Sequence, residues 1–162
     1  MRTVLVVCIG NQLVADDGVG QVIFQELAGY KWPETVRVKF LGLGGIDLIE
    51  ELQGEDLLVV VDGVQLGFPA GSVVELCWAD LPATQGRPVS GHGLGVREAI
   101  EVTRKIYPER CPKEVMLVGV EGRCFDQLGK GLSLEVAEAI PEALGRIVSL
   151  AGCKPRPLFR TC

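Results

Sequence analysis

Two kinds of side chain that bind divalent metal ions stand at three points of the sequence. Adjacent aspartates, Asp16 and Asp17, follow an apolar segment near the start of the chain, and Asp62 directly follows another. His92, the only histidine, stands in a glycine-rich segment. Carboxylate oxygen and neutral imidazole nitrogen suit nickel or zinc, and three protein ligands leave positions open for water or substrate. These residue types predict an open site for a divalent transition metal if the fold brings them together.

The segments that position these residues have the patterns of strands. Residues 4–9 and 57–61 are continuous apolar runs of the kind that is buried on both faces of a parallel sheet. Residues 36–41 alternate apolar with basic residues, as a half-exposed strand near a sheet edge does. Residues 72–77 and 114–120 complete the set of predicted strands, and segments with helical spacing of apolar residues lie among them.

Buried strands that alternate with helices predict an α/β fold, a three-layer sandwich in which helices flank a mainly parallel twisted sheet. Ligands bind such sheets outside the carboxyl ends of the strands. Asp16 and Asp17 are predicted in the loop after the first strand. Asp62 is predicted as the first residue past its strand, and His92 at the mouth of a helix. Taken alone, each of these aspartates and the histidine has a simpler interpretation as a helix cap, a turn residue or a solvated side chain. Their joint placement at one edge of the sheet favours a metal site.

Length and composition predict a single domain with a sizeable core, over residues 1–151. The chain has 162 residues, of which 48% are hydrophobic. The last helix is predicted to begin after Ser133 and to be kinked or divided by Pro141, because proline lacks an N–H donor. Residues 152–162 carry two prolines and no periodicity, so we expect a loosely ordered C-terminal tail.

Charge and cysteine use argue against several classes of partner. The net charge is -5 and no concentrated basic patch stands out, which argues against a nucleic-acid partner. No apolar run approaches transmembrane length, which argues against a membrane partner. No signal peptide is recognisable, so we expect a cytoplasmic protein whose six cysteines are reduced. Cys8 lies inside the first predicted strand and is expected to be buried and unreactive.

Two other kinds of site fit the same residues less well. A dinucleotide site needs the spacing GxGxxG, whereas Gly10, Gly18 and Gly20 are spaced differently and the loop between them is acidic. Nucleophilic hydrolysis by Ser90 or by a cysteine, activated by His92, is conceivable, but Ser90 follows no nucleophile-elbow pattern. The metal site is therefore the preferred hypothesis.

Five short blocks of the sequence carry a resemblance to a known family. They are residues 10–20 (GNQLVADDGVG), 61–63 (VDG), 90–95 (SGHGLG), 117–121 (LVGVE) and 131–133 (GLS). Their order and spacing, from residue 1 to about residue 151, resemble those of the hydrogenase maturation endopeptidases, which process the large subunits of NiFe hydrogenases. The first block is the most specific of the five.

This resemblance implies a cytoplasmic endopeptidase that removes a C-terminal extension from the large-subunit precursor after nickel has been inserted. The family's metal-contacting residues fall on Asp17, Asp62 and His92, and Asp16 matches a neighbouring acidic position with a supporting role. Nickel would be carried by the precursor, and zinc or another divalent ion could substitute. The chain departs from the family at residues 39–41, where relatives often have an acidic residue, and at the turn of residues 42–45.

The resemblance leaves two roles for the metal open. A water molecule activated by the ion could attack the scissile carbonyl while Asp17 or Asp62 assists proton transfer, or the ion could serve only as an assembly signal. A non-catalytic nickel-binding maturation chaperone would use the same three ligands, and it is the alternative function.

Overall fold

In a computed structural model, the described part of the chain comprises residues 1–42, 45–81, 93–152 and 156–157. Within it a central sheet lies between two layers of helices. The strands are β1 (Val4–Cys8), β2 (Tyr30–Lys31), β3 (Val36–Phe40), β4 (Leu57–Val64), β5 (Val73–Cys77), β6 (Glu114–Glu121) and β7 (Arg156–Pro157). The helices are α1 (Val19–Ala28), α2 (Ile46–Glu51), α3 (Gly93–Ile106) and α4 (Leu134–Ala151).

Five of the strands form the central sheet in the order β3-β1-β4-β6-β5. Strands β3, β1, β4 and β6 are parallel, and β5 pairs antiparallel with β6. Every residue of β1 and β4 is buried, as the continuous apolar runs require of central strands. Strand β3 lies at an edge, which confirms the prediction from its alternating pattern. The four parallel strands all end on one side of the sheet, which we name the carboxyl edge.

Helices cover both faces of the sheet. Val6 packs in one apolar core with Ile23 of α1 and Ile147 of α4. Val7, whose side chain lies on the other face of β1, packs in a second core with Ile100 of α3. Successive residues of a strand face opposite sides, so an unbroken apolar run supplies both cores. The predicted three-layer α/β sandwich is confirmed.

Strand β4 is longer than its apolar run indicated. It continues through Asp62 to Val64, because β6 pairs with it along its whole length and aligns Gly119 with Asp62. Asp62 therefore lies inside the strand, and the prediction that it is the first residue past the strand is wrong. Pairing with a neighbouring strand has overridden the turn tendency of the Asp62-Gly63 pair.

Helix α4 runs without interruption through Pro141, so the prediction that this proline divides the helix is wrong, and the alternative, a kink at Pro141, stays a prediction. Proline removes one hydrogen bond, to the carbonyl of Ala137. Both Ala137 and Pro141 are exposed, so that carbonyl lies on the solvent side of the helix. The helix ends at Gly152, which has the left-handed conformation (φ 69°) common at helix C-termini.

The C-terminal tail is only partly described. Arg156 and Pro157 pair with β2 in a separate two-stranded antiparallel ribbon. Residues 153–155 and 158–162 lie outside the described residues, so a loosely ordered tail stays a prediction. None of the described helices combines the length and apolar character needed to cross a bilayer.

Candidate active site

The loop after β1 packs closely against the sheet. It ends in a 3-10 turn over Ala15–Gly18, which runs directly into α1. A Cβ atom on Gly20 would lie 1.9 Å from the carbonyl oxygen of Ile9, so only glycine allows the first turn of α1 to sit against the end of β1. Ala15 has φ 37°, an uncommon backbone conformation for a residue with a Cβ, and its side chain is buried. Backbone strain of this kind is often found at functional sites.

Asp16 is fully buried and joins three segments of the chain. Its carboxylate accepts hydrogen bonds from the N–H groups of Arg123 (2.7 Å), Cys124 (2.9 Å) and Ser133 (2.7 Å), and from the Ser133 hydroxyl (3.0 Å). Its own N–H donates to the carbonyl of Cys124 at 2.9 Å. The loop after β1, the loop after β6 and the start of α4 are thus tied together at one side chain.

These bonds keep Asp16 ionised. Burial raises the pKa of a carboxyl group, but the hydrogen bonds from Ser133, Cys124 and Arg123 outweigh it and hold the pKa of Asp16 below its usual value. Ser133 occupies the predicted N-cap position of α4, yet its hydroxyl makes no cap bond to the helix and donates to Asp16 instead. Asp16 is consequently a structural carboxylate, with both oxygens engaged.

Asp17 is the more exposed of the two adjacent aspartates, because it is half-buried whereas Asp16 is fully buried. The N–H of Asn11 donates to its backbone carbonyl at 3.0 Å and to its Oδ2 at 3.2 Å. Successive side chains in a 3-10 turn diverge by about 120°. The fixed direction of Asp16 therefore turns Asp17 away from the cluster of donors around its neighbour.

Asp62 is 2% exposed and stands near the carboxyl edge of the sheet. Burial raises the pKa of the Cys8 thiol, and the negative charge of Asp62 raises it further, which disfavours the reactive thiolate. The predicted burial of Cys8 is confirmed, and its lack of reactivity stays a prediction. A Cβ on Gly63 would lie 3.1 Å from the backbone oxygen of Asp16. The loop that carries Asp16 and Asp17 therefore packs directly against the strand segment that follows Asp62.

Glu121 is a second structural carboxylate at this edge, and the sequence reasoning did not assign it a role. It is 4% exposed and ends β6, where it accepts hydrogen bonds from the N–H groups of Leu66 (2.9 and 3.0 Å) and Gly67 (2.8 Å). These bonds hold the loop after β4. The sequence carried a pattern that indicates such a residue, because Glu121 directly follows an apolar run, as Asp62 does.

The predicted third metal ligand, His92, lies outside the described residues. His92 and Ser90 fall in residues 82–92, and α3 begins at Gly93, the residue that follows the histidine. Within residues 1–42, 45–81, 93–152 and 156–157, no group of three or more histidine, cysteine or acidic residues could hold a metal ion. Two carboxylates at one edge, one of them deeply buried, are donors that suit a divalent cation. The Asp17, Asp62 and His92 site stays a prediction.

Comparison with known proteins places the chain in a family. A sequence profile described as hydrogenase maturation protease matches residues 22–150. The hydrogenase expression/formation protein HupD of Thiocapsa roseopersicina is 31% identical over 144 residues, which are 87% of this chain and 64% of that protein. The chain thus spans just under two thirds of this relative's length. The hydrogenase 2 maturation protease of Escherichia coli is 29% identical over 90% of this chain and 88% of its own length.

The fold agrees with a solved structure of the same kind. The hydrogenase maturating endopeptidase HybD from E. coli superposes with a TM-score of 0.83 and 26% identity, covering 98% of this chain and 98% of that one. Sequence and structure therefore lead to one assignment. The chain belongs to the hydrogenase maturation protease family, a family of peptidases.

Proposed function

We propose that this protein is a cytoplasmic endopeptidase that removes the C-terminal extension of a NiFe hydrogenase large-subunit precursor after nickel insertion. Membership of the hydrogenase maturation protease family is the observation that carries the proposal. The carboxylates at the carboxyl edge support it, because a peptidase that recognises a metal-bearing substrate needs anionic donors where that metal binds. The ion is part of the substrate in this proposal, and zinc or another divalent ion could stand in for it.

Asp17, Asp62 and His92 are the proposed metal contacts, and the two aspartates have different roles. Asp62 is nearly inaccessible and lies inside β4, where it is paired with Gly119 of β6, so it offers a fixed donor. A carboxylate buried this deeply is stabilised by an approaching cation. Asp17 is half-buried and reaches solvent, so it is the better placed of the two to accept a proton from the attacking water. Nickel in the precursor supplies recognition and Lewis-acid chemistry.

Asp16 does not take part in the proposed chemistry. Four hydrogen bonds already engage its two oxygens. Its role in the proposal is to fix the direction of Asp17, the adjacent residue. This division of roles separates two acidic neighbours that look equivalent in the sequence.

The test is the mass of the large subunit after incubation of nickel-loaded or nickel-free precursor with the protein. Loss of a C-terminal peptide only from nickel-loaded precursor is the expected result. Asp17→Asn, Asp62→Asn and His92→Ala should each abolish that loss while circular dichroism stays unchanged. Asp80→Asn, which removes an exposed carboxylate elsewhere, serves as the control and should cleave normally.

Two outcomes would overturn parts of the proposal. Nickel-dependent binding of the precursor without any loss of mass would identify a non-catalytic maturation chaperone. Normal cleavage by all three site variants would show that the protease acts through other residues.

A further inference from the structure

Large apolar side chains that face solvent are concentrated at one edge of the described structure. Seven such side chains are at least half exposed among the described residues, and five of them follow the carboxyl ends of the parallel strands. These five, which we name the apolar rim, are Leu13 (61%), Ile46 (76%), Phe68 (50%), Leu128 (79%) and Leu134 (70%). The other two are Met1 and Ile106. Scattered apolar residues are ordinary on a protein surface, but concentration at a ligand-binding edge is not.

The apolar rim follows the architecture of the sheet. Each parallel strand is followed by one member: Leu13 after β1, Ile46 after β3, Phe68 after β4 and Leu128 after β6. Leu134 adds a fifth as the first residue of α4. The rim residues therefore follow the strand ends at the edge where ligands bind to such sheets.

Hydrogen bonds to buried carboxylates hold much of the rim in place. Phe68 follows Gly67, whose N–H donates to Glu121, and Leu134 follows Ser133, which donates twice to Asp16. A surface on such loops is ordered before a partner arrives, so binding costs less conformational entropy.

The rim is also continuous with the candidate site. Val14 forms an antiparallel bridge with Leu128, and the N–H of Gly129 donates to the carbonyl of Leu13 at 2.9 Å. The carbonyl of Val14 in turn accepts a hydrogen bond from the N–H of Asp17 at 2.9 Å. Two residues of the rim, Leu13 and Leu128, are therefore joined by backbone contacts to the segment that carries Asp17.

We infer that the apolar rim is the docking surface for the hydrogenase large-subunit precursor, and that it binds apolar segments of the precursor on either side of the scissile bond. The inference rests on the proposed function, since a protease must hold its protein substrate on both sides of the bond that it cuts. Continuity with the candidate site selects the precursor over a second copy of this chain. Interface cores are apolar, and a few large side chains supply most of the affinity.

The test compares two double variants, Leu13→Ser/Leu128→Ser and Phe68→Ser/Leu134→Ser, with Ile106→Ser as control. Ile106 is a matched control because it is 61% exposed, as Leu13 is, and ends α3 away from the rim. Cleavage of nickel-loaded precursor is measured over a range of precursor concentrations. Each double variant should raise KM at least tenfold and change kcat less than about twofold, because it removes binding that ground state and transition state share. Thermal unfolding should be unchanged, since the replaced side chains are exposed.

Direct binding of the precursor by the same variants, measured by biolayer interferometry, separates this inference from the proposed function. If the wild-type protein binds the precursor but does not cut it, the proposed function fails, and weaker binding by the rim variants would still support the docking surface. The docking inference would be overturned if both double variants kept the wild-type KM and the wild-type affinity for the precursor. It would also be overturned if Ile106→Ser weakened precursor binding as much as the double variants do. A wild-type dimer that the rim substitutions dissociate, with KM unchanged, would assign the rim to self-association and overturn it also.

Discussion

The substitution Asp16→Asn tests whether one buried carboxylate organises the candidate site. It preserves the size of the side chain and replaces one acceptor oxygen with a donor. Oδ2 accepts three hydrogen bonds, from Arg123, Cys124 and the Ser133 hydroxyl, whereas Oδ1 accepts one, from the Ser133 N–H. In either orientation of the amide, at least one N–H of the surrounding segments faces another donor.

The cost follows from the number of bonds. In the less damaging orientation the amide oxygen takes the place of Oδ2, and only the Ser133 N–H loses its acceptor. A buried donor without an acceptor costs about 1–3 kcal/mol, and the three remaining bonds lose their charge assistance, which adds about 1 kcal/mol or more. Asp16→Asn should therefore lower the free energy of unfolding by about 2–4 kcal/mol, a large part of the roughly 5–15 kcal/mol typical of a whole domain.

Urea denaturation at pH 7, followed by circular dichroism, measures this loss as a fall in the midpoint at constant m-value. Asp126→Asn is the matched control, because it removes an exposed carboxylate from the loop that also contains Arg123 and Cys124. We expect the control to change stability by less than about 0.5 kcal/mol. If Asp16→Asn costs no more than this control, the carboxylate does not hold the three segments together.

Two further substitutions test the close packing and the charges of the fold. Gly20→Ala places a Cβ against the Ile9 carbonyl and should lower the thermal midpoint by the equivalent of about 1–3 kcal/mol or more, whereas Gly145→Ala, in open space on α4, should leave it unchanged or raise it. Hydrogen bonds from Lys113 and from the N–H and hydroxyl of Thr3 lower the pKa of Asp56 from 3.8 to about 2. The Lys113 contact, the largest of these causes, therefore stabilises the protein above pH 4 and loses its effect as pH falls to 2. The stability deficit of Lys113→Met in urea titrations should consequently be largest above pH 4 and shrink towards pH 2, and a deficit independent of pH would refute the pairing.

The apolar pattern was sufficient to predict the sheet. An unbroken apolar run can bury all its side chains only between two helical layers, whereas the alternating run of β3 is compatible with a half-exposed position at an edge. The positions of these strands therefore followed from local sequence. The end of β4 was misplaced because Asp62-Gly63 has a strong local turn tendency. Its continuation is determined by β6, a strand that begins more than 50 positions later along the chain.

The hydrogen bonds of Asp16 could not be predicted from the sequence for the same reason, although the family resemblance implied a supporting role for this residue. Its donors, Arg123 and Ser133, stand 107 and 117 positions away. An acidic pair at the start of a helix is equally consistent with a cap, with a dipole partner or with a ligand. Only the folded chain shows that Asp16 is saturated with hydrogen bonds and that Asp17 reaches solvent.

Asp16 and Glu121, two of the buried carboxylates near the carboxyl edge, bear on the proposed function because both accept hydrogen bonds from segments that follow the strands. Burying a charge is costly unless hydrogen bonds compensate for it, and Asp16 and Glu121 are each compensated by backbone N–H groups of loops at the carboxyl edge. Each carboxylate thereby ties together the segments that donate hydrogen bonds to it. The segments tied in this way also carry Asp17, Phe68 and Leu134, one of them a proposed metal contact and two of them members of the apolar rim. In the proposed function, the same hydrogen bonds would therefore position both Asp17 and the rim residues that dock the precursor.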